Sequence, residues 1–300
     1  MSQSYDLIVI GEGVSGLACA GQARRAGLRV ATFESTLFGG LVLNVNELDG
    51  YPGAESGTLL ASELMQANSD AGVASIQEEV TAIRPAGGAF EVAAGGVYSA
   101  RQVVIASGAR LKKLGVPGED EYEGRGVSRC ADCDAPMFHN EDMVVVGGGD
   151  SALQEALVLA KFCRKVHIVH RGSRFRARPH FVDRIGSTPG ISIIWNATVE
   201  AILGAKMVEK VRLKRDGKTE EIASAGLFAY VGLEPNTACA PSGVGRDGRG
   251  YLVTNDAFET SMAGIWAIGA VRAGYSGLLC DAAAEAQKAA EGIIKRLRLD

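Results

Sequence analysis

Two glycine-rich segments of similar pattern, at residues 11–16 and 147–152, constrain the fold of this chain more than any other feature. Each follows a short run of β-branched and other apolar residues and precedes a helix-forming run rich in Ala and Leu. This order of strand, tight turn and helix is the fingerprint of a Rossmann-like unit, in which the helix N-terminus binds a pyrophosphate. Two such fingerprints predict an α/β chain with two three-layer dinucleotide-binding domains.

The first fingerprint, Gly-Glu-Gly-Val-Ser-Gly, supplies three glycines with different tasks. Gly11 allows the tight turn, Gly13 lets the backbone approach the phosphates, and Gly16 permits close packing of helix on strand. The next apolar run ends in Glu34, about 20 residues further on, where a carboxylate accepts from a ribose hydroxyl. FAD or NAD is therefore predicted here, and a glycine turn in an unrelated fold is the less favoured interpretation. The residues predicted to line this site are Gly11, Gly13, Val14, Ser15, Gly16 and Glu34.

The second fingerprint, Gly-Gly-Gly-Asp-Ser-Ala, is followed by a strand that ends in a basic loop. His170 and Arg171 come at the strand tip, and Arg176 lies further along the loop. Arginine donors at this position suit the 2′-phosphate of NADP, which favours NADPH over NADH; a solvated basic loop is the alternative. The residues predicted to line this site are Gly147, Gly149, Asp150, Ser151, Ala152, His170, Arg171 and Arg176.

A Cys-x-x-Cys-Asp segment precedes the second fingerprint, at residues 130–134. Such a pair is half of a zinc site, a redox dithiol or a coincidence of spacing. The other four of the six cysteines are isolated, which disfavours zinc, and we interpret them as small buried hydrophobes. Between two dinucleotide sites, Cys130 and Cys133 have an electron source, and Asp134 is suited to carry the proton that a leaving thiolate needs. We predict a redox dithiol and no metal site.

Charge and composition argue against several other classes of function. The 31 Lys and Arg against 35 Asp and Glu give a net charge of −4, which provides no long-range attraction to nucleic acid or anionic lipid. The 39 glycines have no three-residue period and accompany only 8 prolines, which excludes collagen and disordered linker. The N-terminal residues lack a signal-peptide pattern and no apolar run is long enough to span a membrane, so we expect a cytoplasmic protein.

These motifs and several further segments resemble those of the low-molecular-weight bacterial thioredoxin reductases over essentially the whole chain. The segments are residues 11–16, 39–41, 49–53, 106–108, 130–134, 147–152, 170–177, 232–237 and 260–269. The resemblance implies a discontinuous FAD-binding domain at 1–111 and 241–300. It also implies an inserted NAD(P)H-binding domain at 112–240 that carries the cysteine pair, and a homodimer.

The resemblance further implies that electrons pass from NADPH through FAD to the cysteine pair, and then to a thioredoxin-like protein or a small disulfide. Cys133 would face the flavin, Cys130 would attack the partner disulfide, and Asp134 would be the acid. The resemblance also assigns these cofactor-binding positions: Gly39, Gly40, Leu41, Asn46, Ala106, Ser107, Gly108, Gly269, Ala270, Gly277 and Leu278.

Four places depart from the pattern of that family, and all lie around the cofactors. Gly172 replaces the second of two adjacent arginines, and Ala270 replaces an aspartate that accepts from the flavin ribityl chain. Gly277 and Leu278 stand where the family has an arginine and a glutamine near the flavin ring, and Leu41 replaces another glutamine. NADPH is therefore preferred over NADH without excluding it. Without the aspartate at position 270, either FAD binds more weakly or water holds the ribityl hydroxyl.

Two alternatives to NADPH-dependent disulfide reduction stay open. The altered nicotinamide side is consistent with another electron donor, such as a ferredoxin or a flavodoxin, or with oxidation of a small dithiol. The changes at Ala270 and Gly277 are also consistent with a flavoprotein that has lost catalysis. The intact dithiol with its adjacent acid argues against this last alternative.

Overall fold

The chain forms two compact units in a computed structural model that describes residues 3–45, 48 and 53–299. One unit is Met1–Arg110 with Glu234–Asp300, and the other is Leu111–Leu233. The chain therefore returns from the second unit to the first between residues 233 and 234, and not between the expected residues 240 and 241. The physical reason is packing, because Cys239 and Ala240 are buried in a hydrophobic core of the first unit.

The helices and strands follow the alternation expected of an α/β chain. The strands are β1 (Gln3–Ile10), β2 (Val30–Phe33), β3 (Ala74–Ile76), β4 (Ala82–Ala86), β5 (Ala89–Ala93), β6 (Val97–Ile105), β7 (Ala109–Leu111), β8 (Val127–Ser128), β9 (Asp142–Gly147), β10 (Lys165–His170), β11 (Ile191–Trp195), β12 (Ala197–Gly204), β13 (Val208–Arg215), β14 (Lys218–Ala223), β15 (Gly226–Tyr230), β16 (Leu233–Pro235) and β17 (Ile265–Ala267). The helices are α1 (Val14–Arg25), α2 (Gly57–Ala71), α3 (Ala131–Asp134), α4 (Asp150–Leu159), α5 (Pro179–Ser187) and α6 (Leu279–Leu299).

The first unit is built on a sheet with the strand order β3-β2-β1-β6-β5-β4, and β17 also pairs with β6. β1 lies between β2 and β6 and runs parallel to both, so that Ile10 is level with Phe33 and Ile105. The carboxyl ends of these strands therefore meet at one edge of the sheet. The first glycine turn, which follows β1, starts at that edge.

Both faces of the first sheet are covered. Leu7 and Val9 of β1 pack in a core with α1 and the Ala-rich α6, whereas Ile8 and Ile10 face a second core. This alternation is the period of two that a strand buried on both faces requires. The small alanines of α1 and α6 allow these helices to lie close together at the sheet.

The second unit repeats the arrangement around a sheet with the order β11-β10-β9-β15-β8. Met143 and Val145 of β9 pack in a core with α4 and α5, whereas Val144 and Val146 face the antiparallel sheet β12-β13-β14. This confirms the predicted α/β class, with two Rossmann-like units and the second inserted in the first. Among the described residues, no helix combines the length and apolar character needed to cross a bilayer.

Candidate active site

The first glycine turn connects β1 to α1 and is enclosed by backbone atoms. Gly11 has a φ of +103°, and a Cβ there would lie 2.4 Å from the carbonyl oxygen of Ala106. At Gly16, a Cβ would lie 2.0 Å from the carbonyl oxygen of Gly11. Neither position accepts a side chain, because fixed backbone occupies the space that it needs.

In contrast, the start of α1 is open. Gly13 is its N-cap, and the first turn consists of Val14, Ser15 and Gly16. The nearest described atom to a Cβ on Gly13 would be the carbonyl oxygen of Gly39, at 3.9 Å. The N–H groups of a helix N-terminus together with its dipole form an anion site, so this opening suits a pyrophosphate.

Glu34 follows β2, and its carboxylate is fixed by backbone amides. Oε2 accepts from the N–H of Glu12 at 3.1 Å, and Oε1 accepts from the N–H groups of Ser35 at 2.9 Å and Thr36 at 3.1 Å. The carboxylate therefore lies beside the glycine turn. This is where a dinucleotide ribose meets a carboxylate in this fold.

Glu12, within the glycine turn, is a site residue that sequence reasoning missed. Its side chain is 3% exposed, and Oε1 accepts from the hydroxyls of Thr32 at 2.5 Å and Ser75 at 2.7 Å. Glu12 thus ties the turn to β2 and β3. Its partners lie 20 and 63 residues away in sequence, so no local pattern indicates them.

Two further predicted segments converge on the first turn. Gly39 forms a bridge with Gly13, and its N–H donates to the carbonyl oxygen of Glu12 at 2.7 Å. Gly269 lies against the start of α1, since a Cβ there would be 2.5 Å from Ser15 Oγ. The structure therefore brings the glycine turn together with both of these distant segments.

The predicted segment around Ser107 is held by the chain that returns from the second unit. Ser107 Oγ donates to the carbonyl oxygen of Asn236 at 2.6 Å, and Asn236 Nδ2 donates to the carbonyl oxygen of Ser107 at 2.9 Å. The N–H of Asn236 also donates to the carbonyl oxygen of Gly108 at 3.0 Å. These bonds fix the loop that follows β6, next to Ala106 and the glycine turn.

Of the other six positions that the resemblance assigns to the first site, four are exposed, one is half-buried and one lies outside the described residues. Ala270 is half-buried in a short turn of 3₁₀ helix, Gly269–Val271, directly after Gly269. Asn46 lies outside the described residues. The exposed positions are Gly40, Leu41, Gly277 and Leu278.

A buried ion pair beside Gly269 was also missed from the sequence. Glu285 on α6 is 5% exposed, and its Oε2 accepts from the N–H of Gly269 at 2.8 Å. Its Oε1 is paired with the guanidinium of Arg272, which also lies over the ring of Phe258. Thus Glu285 fixes the backbone directly before Ala270, where the family pattern has an aspartate.

The second glycine turn connects β9 to α4 and, like the first, has one enclosed glycine and one open glycine. A Cβ on Gly147 would lie 2.6 Å from the carbonyl oxygen of Tyr230 and 2.7 Å from Cβ of Ala152. A Cβ on Gly149, the N-cap of α4, would meet no described atom within 4 Å. The turn is therefore closed at its first glycine and open at its third, where a phosphate would approach.

An acidic residue is the first residue of α4, and a cation is paired with it. Asp150 Oδ1 accepts from the N–H of Arg178 at 2.7 Å, and Oδ2 accepts from its Nε at 2.6 Å. Ser151 follows with an exposed side chain. Arg178, which we did not predict, balances the charge that Asp150 would otherwise present to a phosphate.

The basic loop after β10 folds back onto the second turn. His170 is 8% exposed and lies against Gly148, where a Cβ would be 2.4 Å from the imidazole ring. Its Nε2 is hydrogen-bonded to the carbonyl oxygen of Arg174 at 3.0 Å, and the N–H of Arg176 donates to the carbonyl oxygen of Gly148 at 2.8 Å. The backbone is thereby held, while the side chains of Arg171 and Arg176 are exposed.

The predicted cysteine pair forms a disulfide in the second unit. The Cα atoms of Cys130 and Cys133 lie 5.3 Å apart, and the N–H of Cys133 donates to Cys130 Sγ at 3.1 Å. Cys130 is the N-cap of α3 and is half-buried, whereas Cys133 is exposed. This arrangement fits a redox dithiol.

Asp134 is tied to the disulfide through Ser128, which sequence reasoning missed. The Ser128 hydroxyl donates to Asp134 Oδ2, and the N–H of Cys130 donates to Ser128 Oγ at 3.3 Å. The acid is therefore held in a fixed position relative to Cys130. A serine two residues before the pair gives no recognisable sequence signal for this role.

The other four cysteines differ in burial. Burial raises the pKa of the Cys19 thiol to about 12 and that of the Cys239 thiol to about 11, as expected for inert thiols. Cys163 is half-buried, and burial followed by the charges of Asp142 and Glu141 raises its pKa to about 11. The interpretation as buried hydrophobes is wrong for Cys280, which is exposed near the start of α6.

Residues 5–290 match the family described as pyridine nucleotide-disulphide oxidoreductase. The chain belongs to this family and is an oxidoreductase. It is 40% identical over 279 residues to the thioredoxin reductase of Treponema pallidum (strain Nichols), with 91% of each chain covered.

Two solved structures have the same fold over nearly the whole chain. The thioredoxin reductase of Lactococcus lactis aligns with a TM-score of 0.93 and 33% identity, covering 97% of this chain and 98% of that one. The thioredoxin reductase of T. acidophilum aligns with a TM-score of 0.93 and 31% identity, covering 99% of both. These similarities confirm the resemblance that the motifs indicated.

Proposed function

We propose that this chain is an FAD-dependent disulfide reductase that passes electrons from NADPH to the Cys130–Cys133 disulfide and on to a thioredoxin-like protein. The observation that carries the proposal is this disulfide, with Asp134 beside it, in a chain with two nucleotide-binding turns. The thioredoxin reductases to which the chain is similar support the same substrate class. A cytoplasmic homodimer is part of the proposal.

The first unit is proposed to hold FAD. Its pyrophosphate would lie at the open start of α1, next to Gly13, and Glu34 would accept from its ribose. The fit is supported by the space in front of Gly13 and by the convergence of Gly39 and Gly269 on the same turn. When bound, FAD and NADPH supply the electron pair that reduces the disulfide.

The second unit is proposed to bind NADPH. The open space at Gly149 fits a phosphate at the start of α4, since the charge of Asp150 is balanced by Arg178. The exposed side chains of Arg171 and Arg176 would receive the 2′-phosphate. Because Gly172 supplies no second adjacent arginine, NADH would also bind, though more weakly.

The chemistry of the protein side chains begins once the disulfide is reduced. Breaking the Cys130–Cys133 bond takes up two electrons and two protons. The thiolate of Cys130 then attacks the disulfide of the partner, and one sulfur of the partner leaves as a thiolate. Asp134 is positioned to donate a proton to this leaving thiolate. Cys133 next attacks Cys130, which re-forms the disulfide and releases the second sulfur of the partner.

Anaerobic titration of the flavin tests the electron donor. Purified protein should be yellow, and NADPH should bleach it at lower concentration than NADH does. Turnover should then follow with thioredoxin and the disulfide reagent DTNB. A flavin that both nicotinamides leave oxidised, but that ferredoxin, flavodoxin or a dithiol bleaches, would contradict the proposed donor. It would support the alternative in which one of these reduces the flavin. A colourless protein that takes up no FAD would contradict both.

A pair of variants tests the role of the cysteines. Cys130→Ser should keep flavin reduction by NADPH and lose thioredoxin reduction at least about 1000-fold, because no thiolate remains to attack the partner. Cys163→Ser is the matched control, since Cys163 is an isolated cysteine of the same unit. Full thioredoxin activity in Cys130→Ser would show that another sulfur attacks the partner.

A further inference from the structure

Glu155 is a buried carboxylate that the proposed chemistry does not use. It lies on α4 with 8% of its surface exposed, and its Oε2 accepts from the N–H of Ala131 at 2.9 Å. Ala131 directly follows Cys130 and is completely buried. An ionisable group is therefore held against the backbone of the Cys-x-x-Cys turn.

The surroundings of Glu155 compensate its charge poorly. Asp132 on α3 and Tyr230 at the end of β15 are the titratable groups that act on it, while Asp150 on its own helix is paired with Arg178. β9, β10 and α5 contribute apolar side chains to the core around α4: Met143, Val145, Val166, Ile168, Phe181 and Ile185. Burial raises the pKa of Glu155 to about 7, opposed by the N–H of Ala131 and assisted by Asp132.

Tyr230 at the end of β15 is the second buried polar group at this place. Its hydroxyl is buried and has no hydrogen-bond partner within the described part of the chain. Buried hydroxyls are normally partnered. Burial, followed by the charge of Glu155, raises the pKa of this hydroxyl. Glu155 and Tyr230 thus form a buried polar pair next to the Cys-x-x-Cys turn.

We propose that Glu155 is a positioning residue for the dithiol: it holds the first turn of α3 through Ala131, and its charge opposes thiolate formation on Cys130 and Cys133. The inference rests on the proposed function, in which the disulfide is reduced to the dithiol. Reduction adds two electrons and two protons to the sulfurs. Ionisation of one thiol beside the charged carboxylate is therefore disfavoured, and the released proton goes to solvent.

The expected size of the effect follows from the distance. The carboxylate is hydrogen-bonded next to Cys130, so both sulfurs lie within about 10 Å of it. At that separation and an effective dielectric constant of about 20, one unit charge changes a proton equilibrium by about tenfold. Tenfold in the ionisation of a thiol is readily measured.

The test measures the ionisation of the two thiols in the holoenzyme. The protein is reduced with a phosphine, and alkylation of Cys130 and Cys133 by iodoacetamide is followed by peptide mass spectrometry as a function of pH. Glu155→Gln keeps an oxygen acceptor for Ala131 and removes the charge. Its thiolate titration should therefore begin about one pH unit lower than that of the wild type, the tenfold change expected above.

Glu141→Gln is the matched control, because it removes an exposed charge from the same unit and should leave the titration unchanged. A Glu155→Gln curve identical to that of the wild type overturns the inference. Should this variant fail to fold, the wild-type curve decides. A thiolate titration centred above the ordinary thiol pKa of about 8.5 supports the opposing charge, and one centred below it overturns the inference. Wild-type protein without turnover, or without a reducible Cys130–Cys133 disulfide, contradicts the proposed function instead.

Discussion

The glycine turn of the first unit is built into its core, whereas that of the second unit is completed by an exposed loop; we propose that these turns bind FAD and NADPH. In the first, Glu34 is fixed by three backbone N–H groups and the turn is anchored by buried Glu12. In the second, the side chains of Arg171 and Arg176 are exposed, and the backbone N–H of Arg176 donates to the carbonyl oxygen of Gly148. The two units use one glycine motif, followed by a carboxylate in the first unit and by arginines in the second.

This difference has a physical consequence for the two ligands. A carboxylate oriented in advance by the backbone loses little entropy when it binds, which suits a cofactor that stays in place. Exposed arginines are screened by salt and must be ordered on binding, which suits a nucleotide that arrives and leaves in each cycle. Variants in the two turns should therefore differ in kind as well as in size.

The largest difference is expected between Gly11→Ala and Gly149→Ala. At Gly11 a Cβ would lie 2.4 Å from a carbonyl oxygen and φ is +103°, so alanine should cost about 3 kcal/mol of unfolding free energy and most of the bound FAD. At Gly149 an added Cβ would meet no described atom within 4 Å, so alanine should cost under about 0.5 kcal/mol of unfolding free energy. Denaturant unfolding and the FAD content of the purified variants check this; equal losses would contradict the comparison.

The second prediction concerns pH and the stability of the second unit. The pKa of Glu155 is raised from 4.5 to about 7, so between these values the folded state keeps a proton that the unfolded state loses. This contribution to stability is present below about pH 4.5 and is lost as the pH rises to about 7. The wild type should therefore lose about 2 kcal/mol between pH 5 and pH 8 that Glu155→Gln does not lose. Urea unfolding at both pH values decides, and parallel changes in both proteins would sink the prediction.

Glu34→Gln should weaken FAD binding in the first unit. The amide keeps one oxygen acceptor, but the carboxylate currently accepts from three N–H groups and would also accept from the ribose. Loss of a charge-assisted hydrogen bond corresponds to about tenfold in Kd. Titration of the apoprotein with FAD measures the change in Kd, with the exposed Glu63→Gln as the control in the same unit. Unchanged affinity would remove Glu34 from the proposed site.

The smallest effect is expected for Asp150→Asn in the second unit. The Asp150–Arg178 pair is partly exposed, so its loss should change the unfolding free energy by less than about 1 kcal/mol. Removing a negative charge from the start of α4 should strengthen NADPH binding by about threefold. Fluorescence titration at low salt would detect this change, whereas weaker binding would indicate that Asp150 itself contacts the nucleotide.

The parts of this site that follow from local sequence were predictable. Glycine spacing specifies a turn between strand and helix, because only glycine fits where backbone closes on backbone, as at Gly11 and Gly16. The Cys-x-x-Cys spacing places both sulfurs on one helical turn, where Cys130 and Cys133 form their disulfide. The fold class follows from the same motifs, because each specifies a parallel strand and its helix.

The residues that support these motifs were not predictable, because their partners are distant in sequence. Glu12 meets Ser75, Glu155 meets Ala131, and Glu285 meets Gly269 only after the strands and helices have packed. The unit boundary at 233/234 depended on packing in the same way, since Cys239 has no sequence pattern that assigns it to the first core. The exposure of Cys280 was likewise not predictable, because no sequence pattern distinguishes it from the other isolated cysteines.

The sequence by itself therefore determined which chemistry this protein carries: two dinucleotide turns, a dithiol and an adjacent acid. Only the tertiary structure decided the electrostatic setting of that chemistry, including the buried carboxylate of Glu155 behind the disulfide and the ion pair of Asp150 with Arg178. The physical reason is that a backbone motif depends on neighbouring residues, whereas charge, burial and pKa depend on every element packed around a group.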